Sequence, residues 1–478
     1  MARATDRIKD LAEAPLGRLL FRYSWPALVS MSLNALYAVV DRFYIGQGCG
    51  ADAMAALTLA MPVMMAFGAF GVFIGAGHSA VLSIRFGAGD RVAAEKVLGQ
   101  LVAFKLLFFL VLPLVVYFNL DMILGWCGGG KVTPEAYSSA VSYLKLVLFF
   151  HVFSHLAFGL SAVMRSEGAA VQSMTCLAVG FGLNCLLDPL FIFGFKMGVA
   201  GAAWATNLAM MVSCGWALAF YLRHKSVVRL RLRRIRFYRA FVLRTAGIGL
   251  APFLQHLANA VINFALVAAF AKWSVDSSAA TMQIASLGIF QCVTIVAIMP
   301  IFGAQQGLAP IIGYNWGARN FARVRRALML GLWVTSAICV IACLAQTVPP
   351  FPQMLVSIFV PAADAALRRL AASDLQLANC MIWCISLNVV ATTYFQAIGH
   401  PKSAIVLSGL RQIGCLLPCL WFLPYFFADH TFGIWVSMPV SDVLANLATI
   451  VPFVLHARFL SRAGRRFRNK AGGYVSID

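Results

Sequence analysis

The chain has 478 residues, of which 61% are hydrophobic and 12% charged, with a formal net charge of +21 and a mean hydropathy of +0.83. Soluble domains carry about 25% charged residues, so this composition excludes a soluble enzyme or binding module and describes a polytopic membrane protein. The surplus of 38 Lys and Arg over 17 Asp and Glu would suit a nucleic-acid partner only if it were gathered on a soluble surface.

A helix needs about 20 apolar residues to cross the hydrocarbon. Segments of that size lie at 23–45, 54–84, 98–120, 139–164, 169–194 and 198–222, and six more at 245–271, 281–309, 327–348, 375–397, 403–427 and 431–457. The expected fold is all-α, with twelve transmembrane helices. The opening MARATDRIKDLAEAPLGRLL has no short apolar core followed by a cleavage site, so no removable signal peptide is expected. Assigned to this layout, about 30 of the Lys and Arg fall on the side of both termini and about 7 on the other, with Lys105 inside a span, which predicts cytoplasmic termini. The densest cluster, RHKSVVRLRLRRIRFYR from Arg223 to Arg239, reads as a topology-fixing linker resting on anionic membrane lipid, and no nucleic-acid partner is expected. Twelve scattered Cys carry no metal-ligand spacing, so neither a disulfide nor a metal site is expected.

The two halves repeat. Pro26 meets Pro252 at a shift of 226 residues, Gly87-Ala88 meets Gly317-Ala318 at 230, and Gly168 meets Gly399 at 231. Each half has an even number of spans, so the repeats share one orientation and are related by a pseudo-two-fold axis along the membrane normal. The expected domains are an amino-terminal six-helix lobe (1–222), a basic cytoplasmic linker (223–244), a carboxy-terminal six-helix lobe (245–457) and a basic cytoplasmic tail (458–478). Such a body suits alternating access by rocking one bundle against the other.

Within the spans, YAVVDRFYIG (37–46) places Asp41 about 7 to 8 Å below the outer boundary. In LNCLLDPLFIFGF, Asn184 and Asp188 share a helical face with Asp188 about 9 Å deep, and Thr206 lies about 12 Å below Gly198. An acid inside the bilayer costs about 2.5–3.5 kcal/mol, so these four residues are the candidate cation or proton site. Two close carboxylates suit a shared proton, and two carboxylates with an amide and a hydroxyl suit sodium; the residues leave the choice open. The blander reading has Asp41 neutralising Arg42, although adjacent residues point about 100° apart. Asn34, Tyr37, Gln255, Asn259, Asn263, Gln283 and Gln291 are candidates for a substrate cavity or for hydrogen bonds between helices. His151 and His155 have a metal-site spacing without a third ligand and read as a packed pair; FGAGD (86–90) reads as a tight cytoplasmic turn.

These residues resemble the multidrug and toxic compound extrusion (MATE) transporters, in particular their bacterial MepA-like branch. The likeness is carried by YAVVDRFYIG, LNCLLDPLFIFGFKMGVAGAAWAT, MPIFGAQQGLAPIIGYNWGA, FQAIGHPKSA and GIWVSMPVSD, in order along nearly the whole chain. The resemblance implies an antiporter, not an enzyme, with no catalytic residue and no cofactor beyond a coupling proton or sodium ion. It implies two lobes around an outward-open V-shaped cavity, and an ion or proton site at the positions matching Asp41, Asn184, Asp188 and Thr206. It further implies a monomer in the bacterial inner membrane that exports small organic, mainly cationic substrates. Some members also use acids on helices seven and ten. Here the seventh span has Gln255 and Asn259 instead and the core of the tenth has no acid, so coupling through the carboxyl lobe is not expected, and Asp442 reads as a secondary polar anchor. A lipid-linked oligosaccharide flippase of the same larger group is the alternative; it would line its cavity with several Arg or Lys, where only Arg42 and Lys105 stand out. A membrane enzyme, more distant, would gather its eight His, which are dispersed.

Overall fold

In the computed structural model, residues 10–126, 134–223, 226–358 and 365–470 are described, without side chains at 34–36, 38–39, 42–43, 46–52, 54–55, 58, 271, 277–278, 280–281 and 461–470. Every regular element described is a helix, as hydrocarbon demands of a chain that must satisfy its own backbone groups. In chain order the long helices are α1 (Leu16–Gly87), α2 (Arg91–Phe118), α3 (Pro134–Ser166), α4 (Ala170–Pro189), α5 (Gly198–Leu222), α6 (Arg239–Trp273), α7 (Ser277–Gly317), α8 (Phe321–Thr347), α9 (Ala365–Asn379), α10 (Ile385–Ala397), α11 (Pro401–Gly409) and α12 (His430–Lys470). Five-residue-spaced, π-helical turns extend α4 through Leu190–Gly194 and α11 through Leu410–Leu416.

Eleven segments of the described residues are long and apolar enough to cross a membrane. The expected crossing at 23–45 is not among them; it lies in the first part of α1, several of whose side chains fall outside the described residues. A straight helix of 72 residues would be about 108 Å long, over three times the hydrocarbon thickness. Tyr37, however, stacks on Phe181 at 5.4 Å, Phe181 meets Phe158 at 6.1 Å, and His155, one turn from Phe158, lies against Gly71. These contacts hold Tyr37 and Gly71 within roughly 25 Å, where a straight helix would separate them by about 51 Å. The chain therefore bends back within α1.

The chain divides into two compact units, Met1–Pro15 with Arg22–Gly249, and Leu16–Phe21 with Leu250–Asp478. In the first, α5 packs on both α3 and α4, and α3 also packs on α2. At Gly180 a side chain would come within 2.9 Å of Ser213, so the absence of one lets α4 approach α5 closely enough for Ser213 Oγ to donate to the Cys176 carbonyl at 2.7 Å. The basic stretch after α5 is docked on this unit. Arg234 and Arg231 pair with Glu95, the Tyr238 amide donates to Gln100 Oε1 at 3.0 Å, and Ser226 donates to Glu167. In the second unit, Phe270, Leu287, Leu420, Ile434 and Trp435 form a buried cluster.

The repeat reappears as backbone geometry. After α1, Gly89 has φ +75°, and Asp90 caps α2 by accepting from the Ala93 amide at 2.9 Å. After α7, Arg319 has φ +58°, and Asn320 caps α8 by accepting from the Arg323 amide at 3.1 Å. Both pairs sit at the 230-residue shift. Each cap is worth about 1 kcal/mol, and the left-handed residue before it is natural for glycine and strained for arginine. Gly168 and Gly399, at φ +86° and +76°, make the matching turns after α3 and α10.

Candidate functional site

α4 carries Asn184 and Asp188 one turn apart, and both are fully buried. Their partners follow from helix geometry: residues four apart share a face, so one amide can reach both the next turn and the neighbouring helix. Asn184 Nδ2 donates to Asp188 Oδ1 at 3.1 Å and to Thr206 Oγ1 of α5 at 3.2 Å. Asp41 of α1 is also buried, and its carboxylate acts electrostatically on Asp188 and on Tyr37. The four residues expected to form the site are thus gathered within one unit.

Two features give this cluster chemical capacity. First, among the described residues Asn184 Oδ1 and Asp188 Oδ2 meet no hydrogen-bond donor although both are buried. Buried acceptors are normally satisfied, so two unmet oxygens within electrostatic reach of a second carboxylate have the capacity to accept from a proton donor or to ligate a cation. Second, Pro189 follows Asp188 directly, and its missing N–H removes an i→i−4 bond from the helix. Beyond it the helix widens: the Phe195 amide reaches Leu190 O at 2.9 Å, five residues back. The apolar surroundings of this site are Leu177, Phe181 and Met210, with Leu33 and Tyr37 packed on them.

The other expected polar residues fall into separate groups. Asn34 and Arg42 lie outside the residues whose side chains are described. In the second unit, Gln291 Nε2 donates to Asn263 Oδ1 at 2.6 Å, Asn263 Nδ2 donates to the Asn259 carbonyl at 3.1 Å, and Gln412 Nε2 donates to Asn259 Oδ1. Gln283 accepts from Trp435 Nε1 at 2.9 Å, so it anchors a buried indole. Gln255 is half-buried, one turn before Asn259. Asp442 is buried and pairs through Oδ1 with Arg411 Nε at 2.6 Å.

Arg411 corrects the expectation that Arg42 and Lys105 are the only cations within the spans. It lies about 15 Å from the nearer end of the span Pro401–Phe426, and an arginine at that depth calls for a partner acid, which the next span holds. The expectation that the tenth span has no acid in its core is corrected too. The span runs from Ala365 to Ala397, and Asp374 within it is buried and accepts from Ser286 Oγ at 2.6 Å. The expected start at 375 lies ten residues inside this span and leaves Asp374 just outside it. Lys105 is fully buried in the first unit, with Nζ on the Gly71 carbonyl at 2.8 Å and 5.3 Å from the centre of the Phe109 ring. It is packed inside the protein, not set along a cavity. His151 and His155 lie beside it edge to face at 4.6 Å, and His155 stacks on Phe109 at 3.9 Å.

The architecture and this buried constellation have counterparts. The MatE family model matches residues 26–190 and 243–421, more than two thirds of the chain. Multidrug export protein MepA of Staphylococcus aureus (strain N315) is 24% identical over 457 residues, covering 95% of this chain and 97% of its own. MepA of Staphylococcus saprophyticus is 23% identical over 442 residues, covering 92% and 94%. Among solved structures, the outward-facing conformation of a multidrug resistance MATE family transporter superposes with a TM-score of 0.86 at 21% identity, over 94% of this chain and 98% of that one. A MOP superfamily transporter from Pyrococcus furiosus, described as having a binding pocket of reverse polarity, superposes at 0.82 with 22% identity, over 95% and 98%. With both halves of the chain matched in order by the family model, this multi-pass membrane protein belongs to the MATE family of transporters.

Proposed function

We propose that the chain is a secondary antiporter that exports amphipathic organic cations in exchange for protons or sodium ions, with Asp41, Asn184, Asp188 and Thr206 as its coupling site. The observation that carries this reading is the buried Asn184–Asp188–Thr206 cluster, with its two unmet oxygens and a second acid from α1 within electrostatic reach. The relatives named multidrug export protein MepA support drug export.

The chemistry is an exchange of charge partners. With both carboxylates ionised their repulsion is high, and one proton shared between them, or one sodium ion held by their oxygens with the Asn184 and Thr206 oxygens, relieves it. Binding the ion then favours a different packing of α1 on α4 than the empty site does, and only that difference in affinity can drive the lobe between states. An ion entering along an interior-negative potential of 100 mV releases about 2.3 kcal/mol, enough to sustain roughly a fifty-fold gradient of exported substrate. By the positive-inside rule both termini lie in the cytoplasm, with the protein in the inner membrane of a bacterium.

The test is dye uptake into inverted vesicles under separately imposed proton and sodium gradients, comparing the parent with Asp41→Asn and Asp188→Asn. Export that follows one gradient in the parent and neither gradient in the variants is the expected result. Undiminished export in both variants would remove these acids from the mechanism.

A further inference from the structure

The second unit holds a polar surface that ion coupling does not use. On α6, Leu257, Val261 and Phe264 are exposed along one stripe, while Asn259 and Asn263 are exposed on a stripe roughly 200° away round the helix. The apolar stripe suits acyl chains. The amide stripe does not, and it is continued by Gln291 of α7 and by Gln412 after α11.

Arg411 stands next to Gln412 in the π-helical turn Leu410–Leu416. Its Nε is engaged by the almost fully buried Asp442, while its side chain keeps 31% of its surface exposed. Among the described residues its Nη nitrogens have no further hydrogen bond, so the fork edge of the guanidinium is available near the middle of the span. An arginine edge open to lipid at that depth is costly, and the neighbouring Gln412 is the residue bonded to Asn259 of the amide stripe. Beside it, Gln412 Oε1 is buried and meets no donor among the described residues.

We propose that Arg411 and Gln412 form a carboxylate-recognition subsite that takes the anionic end of a zwitterionic amphipathic substrate. The inference rests on the exporter reading above for the word substrate. A guanidinium edge presents two parallel N–H groups that match a carboxylate, a geometry an ammonium lacks. Asp442 already neutralises the arginine, so a ligand with only negative charge would leave the site net negative. A zwitterion brings its own cation, and its N–H groups meet the vacant acceptor of Gln412. Asp442 is therefore the positioning residue: it turns the fork outward and sets the charge balance that discriminates against simple anions.

The test uses two rhodamines with one ring system, one with a free aryl carboxylate and the other its methyl ester, and measures binding to the purified protein by fluorescence anisotropy. The parent is expected to favour the free carboxylate by about tenfold, the value of one good charge-assisted pair. The double variant Arg411→Gln/Asp442→Asn, which leaves no unpaired charge, is expected to bind both dyes equally while retaining the parent's affinity for the ester. Equal binding by the parent, or a preference that survives in the double variant, overturns the proposal. A preference lost in the double variant, with neither dye exported by parent vesicles, upholds the subsite and defeats the exporter reading alone.

Discussion

At corresponding positions the two lobes are built from opposite chemistry. Leu33 and Tyr37 pack on Phe181 in the first, and at the repeat shifts of 226 and 230–231 these positions become Asn259, Asn263 and Arg411 or Gln412 in the second. The buried charge differs in the same sense. Among the described residues, the amino-lobe cluster sets Asp188 against the neutral Asn184, whereas the carboxyl lobe sets Asp442 against Arg411 and Asp374 against Ser286. One scaffold, with the same caps and the same left-handed turns, thus carries a buried acid hydrogen-bonded to an amide in one bundle and a buried acid paired with an arginine in the other. Gene duplication preserves the helix ends because they satisfy the backbone; the interior is free to diverge because packed helices tolerate any side chains that satisfy one another.

If that contrast is right, charge removal should act differently on the two sides. The largest effect is expected for Asp188→Asn, which should lower ion-driven export by about a hundredfold, some 2.7 kcal/mol of lost coupling, with the protein still folded; vesicle efflux under an imposed gradient checks it. Next comes Asp442→Leu, which leaves Arg411 without its acid and should lower stability by about 3 kcal/mol, with most of the loss recovered in Arg411→Gln/Asp442→Leu. Thermal unfolding in detergent reads both, and a double variant no more stable than the single one would mean the pair is not the source. Thr206→Val removes one oxygen from the amino-lobe cluster and keeps its shape, so a loss of about tenfold in apparent ion affinity is expected, with maximal export changed little. The smallest effect is expected for Lys105→Met, which replaces a buried amine by a thioether of similar length. Efflux should stay within about twofold and the unfolding temperature should hold or rise, since no acid is lost as a partner. A collapse of export there would place the Lys105–His155 group inside the mechanism.

The amino-lobe site was legible because its signals are local. Asn184 and Asp188 are one turn apart, and an acid within a long apolar run is costly enough to be noticed at any span assignment that includes it. Asp374 was missed because it sits at the edge of an apolar run, where composition cannot separate the last turn of a loop from the first turn inside the membrane. Arg411 was missed for a different reason. Its partner, Asp442, is 31 residues away, and nothing in the spacing declares that the two helices meet at that level. The amides Asn259, Asn263 and Gln291 were visible as residue types and Gln412 was not, and whether amides join helices or line a space depends on exposure.

From the chain of residues alone came the membrane class, the duplication, and the identity of Asp41, Asn184, Asp188 and Thr206 as candidates. Each rests on a free energy proportional to local composition or on a fixed helical period, and both can be summed along a sequence. The bend inside α1, the docking of the basic stretch onto Glu95 and Gln100, the pairing of Arg411 with Asp442 and the open edge of its guanidinium were decided by tertiary structure. Such features depend on which helices touch and at what height. The energy of a charge in a bilayer is set by those contacts, since the same arginine is prohibitive against lipid and ordinary against an acid.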